Sequence, residues 1–199
     1  MPLAVAIIDG GGANIASLRF ALERLGRESV LTTDPEIITT ASHVILPGVG
    51  AARAGMDRLT ATGLDRLIPT LTQPVLGICL GMQLLFDASE EDDARCLGVI
   101  PGKAQRFLPA PDRPVPHMGW NQLHKLADAP LMEGIAEDAH CYFVHSYALP
   151  VTAATLATAS YGWDFTAIAA QDNFLAAQFH PERSGVTGAT LLRNFLTRY

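Results

Sequence analysis

The chain has 199 residues, 49% of them hydrophobic, which is enough to bury a substantial core and suits one domain better than two. A formal charge of -6 and a pI near 5.4 leave no surplus of Lys and Arg to neutralise phosphates, so nucleic acid is excluded as an expected partner. No apolar run approaches the roughly 20 residues that cross a bilayer. The opening MPLAVAIIDGGG lacks the basic start and cleavage site of a secretory leader, which makes the cytoplasm the default location.

Ala4–Asp9 is an apolar, strand-like run. The following Gly10-Gly-Gly12 does not complete G-x-G-x-x-G, because position 15 is Ile, and it reads as a tight turn. Asn14–Leu25 places Ile15, Leu18, Leu22 and Leu25 on one helical face, with Gly26 as a stop. His43–Leu46 is strand-like and leads into Leu46-Pro-Gly-Val-Gly50, a glycine turn whose free N–H groups suit an oxyanion or simply a bend. Pro74–Ile78 is another short apolar run. This alternation predicts an α/β fold with a mostly parallel sheet flanked by helices. Pro109–Pro116 reads as a surface loop. Strand candidates at Ala139–Tyr147, Thr155–Tyr161, Phe165–Gln171 and Phe174–Phe179 suggest antiparallel additions in the second half, and a helix is expected from about Thr187 to Leu196.

The sharpest local signal is Pro74-Val-Leu-Gly-Ile-Cys-Leu-Gly-Met-Gln-Leu-Leu-Phe86, in which a strand runs through Cys79 into a helix-like segment. Gly77 and Gly81 flank the thiol as G-x-C-x-G, the sulfur counterpart of the G-x-S-x-G elbow, where small neighbours permit a sharp strand-to-helix turn. A thiolate at that turn gains from the positive end of the following helix. Cys96 and Cys141 lie in no such turn and are read as non-catalytic, and three cysteines without CxxC spacing suggest neither a disulfide framework nor a zinc site. His43, His117, His124 and His140 form no recognisable metal-ligand set and are read as structural or surface residues.

A cysteine acyl-transfer enzyme needs an imidazole to move the proton and a partner to fix that ring's tautomer. His180-Pro-Glu182, after the last strand candidate, can supply both, with the proline holding ring and carboxylate in a fixed relation. Read alone, H-P-E fits an ordinary loop equally well.

Taken together and in this order, P-G-x-G, G-x-C-x-G-x-Q and H-P-E resemble the class I (triad) glutamine amidotransferases. The resemblance implies a flavodoxin-like sheet filling residues 1–199 as one domain, with Cys79 as nucleophile, His180 as acid and base, and Glu182 as its orienting carboxylate. It further implies an oxyanion strand at Gly48, Val49 and Gly50, and substrate contacts from Gln83, from Glu91 to the amino group, and from the backbone of His145, Ser146 and Tyr147 to the carboxylate. Pro116-His-Met-Gly-Trp-Asn121, Tyr142-Phe-Val-His-Ser-Tyr147 and Gln178-Phe-His-Pro-Glu-Arg-Ser-Gly185 narrow the resemblance to the glutaminase subunits of imidazole glycerol phosphate synthase. The alternative is a glutaminase serving pyridoxal phosphate, anthranilate or carbamoyl phosphate synthesis, and H-M-G-W-N argues against it.

The implied activity is hydrolysis of L-glutamine through a cysteinyl thioester, without metal or other cofactor. The ammonia would pass to a separate (β/α)8 cyclase subunit in a heterodimer that makes imidazole glycerol phosphate and aminoimidazole carboxamide ribotide for histidine biosynthesis. Asn14, Trp120, Asn121, Tyr142 and Arg183 are the implied docking face or ammonia exit, although Trp120 and Tyr142 suit a core role as well, and many relatives carry Lys where Arg183 stands.

Overall fold

A computed structural model describes residues 4–11 and 15–199. In chain order the elements are β1 (Val5–Ile8), α1 (Ile15–Arg24), β2 (Ser29–Thr32), α2 (Pro35–Thr40), β3 (His43–Gly48), α3 (Ala52–Ala61), α4 (Leu64–Leu67), β4 (Val75–Cys79) and α5 (Leu80–Leu85). There follow β5 (Phe86–Ser89), β6 (Ala94–Arg95), β7 (Ile100–Arg106), β8 (His117–Gln122), β9 (His124–Lys125), β10 (His140–His145), β11 (Tyr147–Ala148), β12 (Thr155–Ser160), β13 (Asp164–Gln171), β14 (Phe174–Ala177) and α6 (Gly185–Arg198).

Among the described residues the main sheet has eight strands in the order β2-β1-β3-β4-β14-β13-β12-β9. Its first five strands pair in parallel and follow the doubly wound order of the flavodoxin type, while β13, β12 and β9 add antiparallel strands to one edge. Side chains of a strand alternate between faces, and both faces here are buried. In β1, Val5 and Ile7 join the core that contains α1, α6 and β10, whereas Ala6 and Ile8 join the core that contains α3 and α5. Apart from His43 at the start of β3, the central strands are therefore apolar, which is why they read as continuous hydrophobic runs. Outside the main sheet, β8 pairs with β10 in one two-stranded ribbon, and β11, β7, β5 and β6 form a small sheet.

Most expected elements are present with shifted ends. The closing helix begins at Gly185 and runs to Arg198, longer at both ends than its apolar positions imply. The run 139–147 is interrupted: β10 ends at His145, and β11 turns away to pair with β7. Residues 107–116 form the expected loop, pinned by a bridge between Ala110 and Arg113. No helix among the described residues is long and apolar enough to cross a membrane.

Candidate active site

Parallel sheets collect ligand sites at the carboxyl ends of their strands. At that end β3 and β4 are in register so that Gly48 lies opposite Cys79, and β14 pairs Ala177 with Ile78 on the other side of β4. Three residues beyond β14 comes His180, whose backbone N–H donates to the Tyr142 carbonyl at 3.0 Å. Two segments roughly a hundred residues apart in sequence thus meet through β4.

Cys79 carries the turn itself. Its backbone sits at φ 55, ψ -111, a left-handed conformation that a residue with a Cβ rarely adopts. The neighbouring glycines serve a different need from a bend. A Cβ on Gly81 would fall 1.8 Å from the Leu46 carbonyl oxygen, and one on Gly77 would fall 2.8 Å from the Gly81 carbonyl oxygen. They let α5 lie directly on β3 and β4, and this close packing forces the turn onto the cysteine. The thiol is nearly buried, 3.8 Å from the Val144 carbonyl oxygen and 3.9 Å from Gln178 Nε2.

His180 Nδ1 and Glu182 Oε1 are 3.0 Å apart, and both side chains are largely buried, 11% and 5% exposed. Burial works against a charged ring, but hydrogen bonding and charge from Cys79 and Glu182 outweigh it and push the imidazole up to about 10. The ring is thus held as imidazolium, with Nδ1 donating to Glu182 and Nε2 sealed from solvent.

A cleft of about 530 Å³ opens above the thiol, lined by Val49, Gly50, Cys79, Gln83, Glu91, His145, Ser146, Tyr147 and His180, with Ala51, Leu80, Pro116 and Val144. Gly48 stays beneath it in β3, and Gly50 holds a left-handed φ of 88 at the rim. Glu91 reaches into the cleft from beyond β5. Its Oε2 accepts the Ala52 N–H at 2.8 Å at the start of α3, while burial raises its carboxyl pKa despite that bond. Gln83 is a brace as well as a lining residue: its Nε2 donates to the Tyr147 carbonyl at 2.8 Å and to Gln178 Oε1 at 3.0 Å. The other thiols lie apart from the cleft lining, and burial pushes Cys96 up to about 11 and Cys141 up to about 12.

Of the candidate docking residues, three gather on the surface. The Arg183 guanidinium lies 4.6 Å over the Tyr142 ring, and Trp120 meets Tyr142 edge-on at 6.1 Å. Trp120 is 57% exposed, so its alternative reading as a core residue does not hold. Asn121 is turned the other way, its Nδ2 donating to the Ser160 carbonyl at 2.9 Å. Asn14 lies outside the described residues. Sequence reasoning gave no role to Gln178 and read His117 only as a structural or surface residue, although both stand inside the quoted segments. Nothing in their spacing signals that the fold points them at the thiol and at His145.

Comparison with known proteins bears on the family and the fold. The family model described as glutamine amidotransferase class-I matches residues 6–199. The imidazole glycerol phosphate synthase subunit HisH of Xylella fastidiosa strain Temecula1 is 54% identical over 192 residues, covering 96% of each chain. The subunit HisH 2 of Legionella pneumophila strain Paris is 52% identical, covering 97% of each. Among solved structures, a glutamine amidotransferase overlays with a TM-score of 0.75 at 22% identity and 97% coverage of both chains. A glutamine amidotransferase from Thermotoga maritima gives 0.71 at 15% identity, covering 100% of this chain and 98% of that one. The chain belongs to the class I glutamine amidotransferase family.

Proposed function

We propose that this protein is the glutaminase subunit of an imidazole glycerol phosphate synthase, hydrolysing L-glutamine and delivering the ammonia to a cyclase subunit in histidine biosynthesis. One observation carries the reading: a cleft of about 530 Å³, roomy enough to admit a small amino acid, is lined at once by Cys79, by His180 with Glu182 behind it, and by the glycine turn that follows β3. Relatives more than 50% identical over almost the whole chain, named as that subunit, support the pathway.

In this reading the Cys79 sulfur, its proton passed to His180, attacks the carboxamide carbon as the thiolate, and the negative oxygen settles against N–H groups of residues 48–50. His180 gives a proton to the departing nitrogen, leaving a glutamyl thioester and ammonia. Water then attacks the thioester with His180 as base, releasing glutamate and the thiol. Glu182 keeps the ring oriented through both steps. Glu91 meets the substrate's ammonium with the oxygen that Ala52 does not occupy, and Ser146 and Tyr147 meet its carboxylate through their backbone. The surface group of Trp120, Tyr142 and Arg183 docks the cyclase, a (β/α)8 barrel, in a one-to-one cytoplasmic complex. The whole chain is one domain in this reading.

The test is glutamate release by the chain alone, with the cyclase subunit, and with the cyclase and its nucleotide, each compared with Cys79→Ala. Activity that depends on the partner and disappears in the variant supports the assignment. Unchanged glutamate release in Cys79→Ala refutes it.

A further inference from the structure

Behind the cleft wall runs a chain of hydrogen bonds whose directions fix one another. His145 Nδ1 lies 2.8 Å from the Tyr147 carbonyl, which can only accept, so this nitrogen carries the proton. In the neutral ring Nε2 is then an acceptor, and it receives Nδ1–H of His117 at 3.0 Å. His117 Nε2 is left as an acceptor in turn, facing Nδ2 of Asn121 at 3.3 Å. The same Asn121 amide group donates to the Ser160 carbonyl at 2.9 Å, and its oxygen accepts the Gln122 N–H at 2.8 Å, so its orientation is set. On the far side the Tyr147 carbonyl takes a second donor, Gln83 Nε2, which also fixes Gln178 so that its own Nε2 points at the Cys79 sulfur 3.9 Å away.

The rings cannot turn to escape this pattern. His117 is sandwiched between Tyr161, stacked at 4.1 Å, and Phe143, stacked at 5.3 Å, and the edges of Phe107 and Phe165 close around His145. Burial holds both rings neutral, driving His117 down to about 4 and His145 down to about 3. A proton on either would set donor against donor.

We propose that His117 is a positioning residue: by donating to His145 it locks the tautomer that holds the Tyr147 carbonyl, and through Gln83 and Gln178 that carbonyl in turn fixes the cleft wall and the place of the Cys79 thiol. Neither histidine touches the reacting atoms. They set the wall against which a substrate is held, and the relay runs to β8, the strand whose opposite face bears Trp120.

The kinetic arm of the test rests on the glutaminase reading, whereas the spectroscopic arm does not. Nitrogen-15 NMR of the unaltered chain, labelled at histidine, is expected to show His117 and His145 as neutral Nδ1–H tautomers. An Nε2–H tautomer at either position overturns the relay. Two variants then separate positioning from packing. His117→Phe keeps a ring in the sandwich and loses the donor, while His117→Asn keeps an N–H near the place of Nδ1 and loses the ring. Measured with the cyclase and its nucleotide, the Phe variant is expected to lose about tenfold in kcat/KM, the equivalent of one buried hydrogen bond. The Asn variant is expected to stay within about threefold of the parent, since the donor is retained. The reverse order, or equal losses, overturns the proposal. If the parent itself releases no glutamate, the glutaminase reading fails and the tautomers still decide the relay.

Discussion

Lowering the pH from 7 to 5 is expected to destabilise the fold by about 3 kcal/mol, and the reason lies in the neutral histidine pair rather than in the candidate triad. His117 and His145 are 4% and 6% exposed, and burial takes their imidazoles from 6.5 down to about 4 and about 3. A folded pKa below the unfolded one means stability that is present above 6.5 and is lost as the pH falls, because the unfolded chain gains protons that the folded chain refuses. At pH 5 each ring costs about 2 kcal/mol relative to pH 7, or about 4 together. His43, lowered first by burial and then by the charge of Arg27, acts in the same direction. His180 runs the opposite way. Raised to about 10, it contributes stability that is complete below 6.5 and lost as the pH climbs toward 10, and it returns a little under 1 kcal/mol between pH 7 and pH 5. Urea melts at the two pH values, fitted with a common slope, measure the difference. His117→Phe removes one of the two titrating imidazoles and should cut the net loss from about 3 to about 1 kcal/mol. A stability that stays flat from pH 7 to 5, or a loss of the same size in that variant, would refute the reasoning.

Glu182→Gln keeps the shape of the carboxylate while removing the charge that helps hold His180 as imidazolium, and its glutaminase kcat is expected to fall about 10² to 10⁴-fold. Steady-state rates with the cyclase check this, and a loss under threefold would show that the carboxylate does not orient the ring. Gly81→Ala is expected to unfold the protein or cost more than about 4 kcal/mol, because the new methyl would sit 1.8 Å from a backbone oxygen that β3 cannot move. Gly50→Ala makes the contrast: no atom lies within 4 Å, so only its left-handed φ is penalised, by about 1 kcal/mol, as a denaturation series on both variants would show.

The order of elements was legible in the first half because each central strand is buried on both faces and therefore reads as an unbroken apolar run, as in β3 and β4. What escaped was set by tertiary pairing. β2 and β8 carry no run of their own, with exposed or half-buried residues throughout β2 and at every position of β8 except His117, and they are strands because a neighbour supplies the hydrogen bonds. The break at Ser146 is likewise invisible in Tyr142-Phe-Val-His-Ser-Tyr147. Only the fold shows that β10 ends where the Tyr147 carbonyl must meet both His145 and Gln83. Cys79, His180 and Glu182 could be read from local motifs because an elbow, and a ring with a carboxylate two residues away, are both built from neighbours in sequence. Gln178 and His117 act only over long range, and no spacing in the sequence records their partners.

The elbow itself gives the last test, because it reverses an ordinary rule. Replacing a residue by Gly normally costs about 0.5 to 1 kcal/mol relative to Ala, through the freedom that Gly gains in the unfolded chain. Cys79, however, is held at φ 55, ψ -111, where a Cβ carries about 1 to 3 kcal/mol of backbone strain. Both Cys79→Ala and Cys79→Gly delete the thiol beside Gln178, and the Gly variant also gives up the Cβ and its contacts. Only the second releases the strain. The Gly variant is therefore expected to be at least as stable as the Ala variant in a denaturant melt, by an amount between zero and about 2 kcal/mol once the unfolded-state term is subtracted. A Gly variant less stable by about 1 kcal/mol or more would mean that the turn is relaxed. The sulfur would then hold its place by side-chain contacts alone, not because the packing of α5 against β3 forces the backbone to present it.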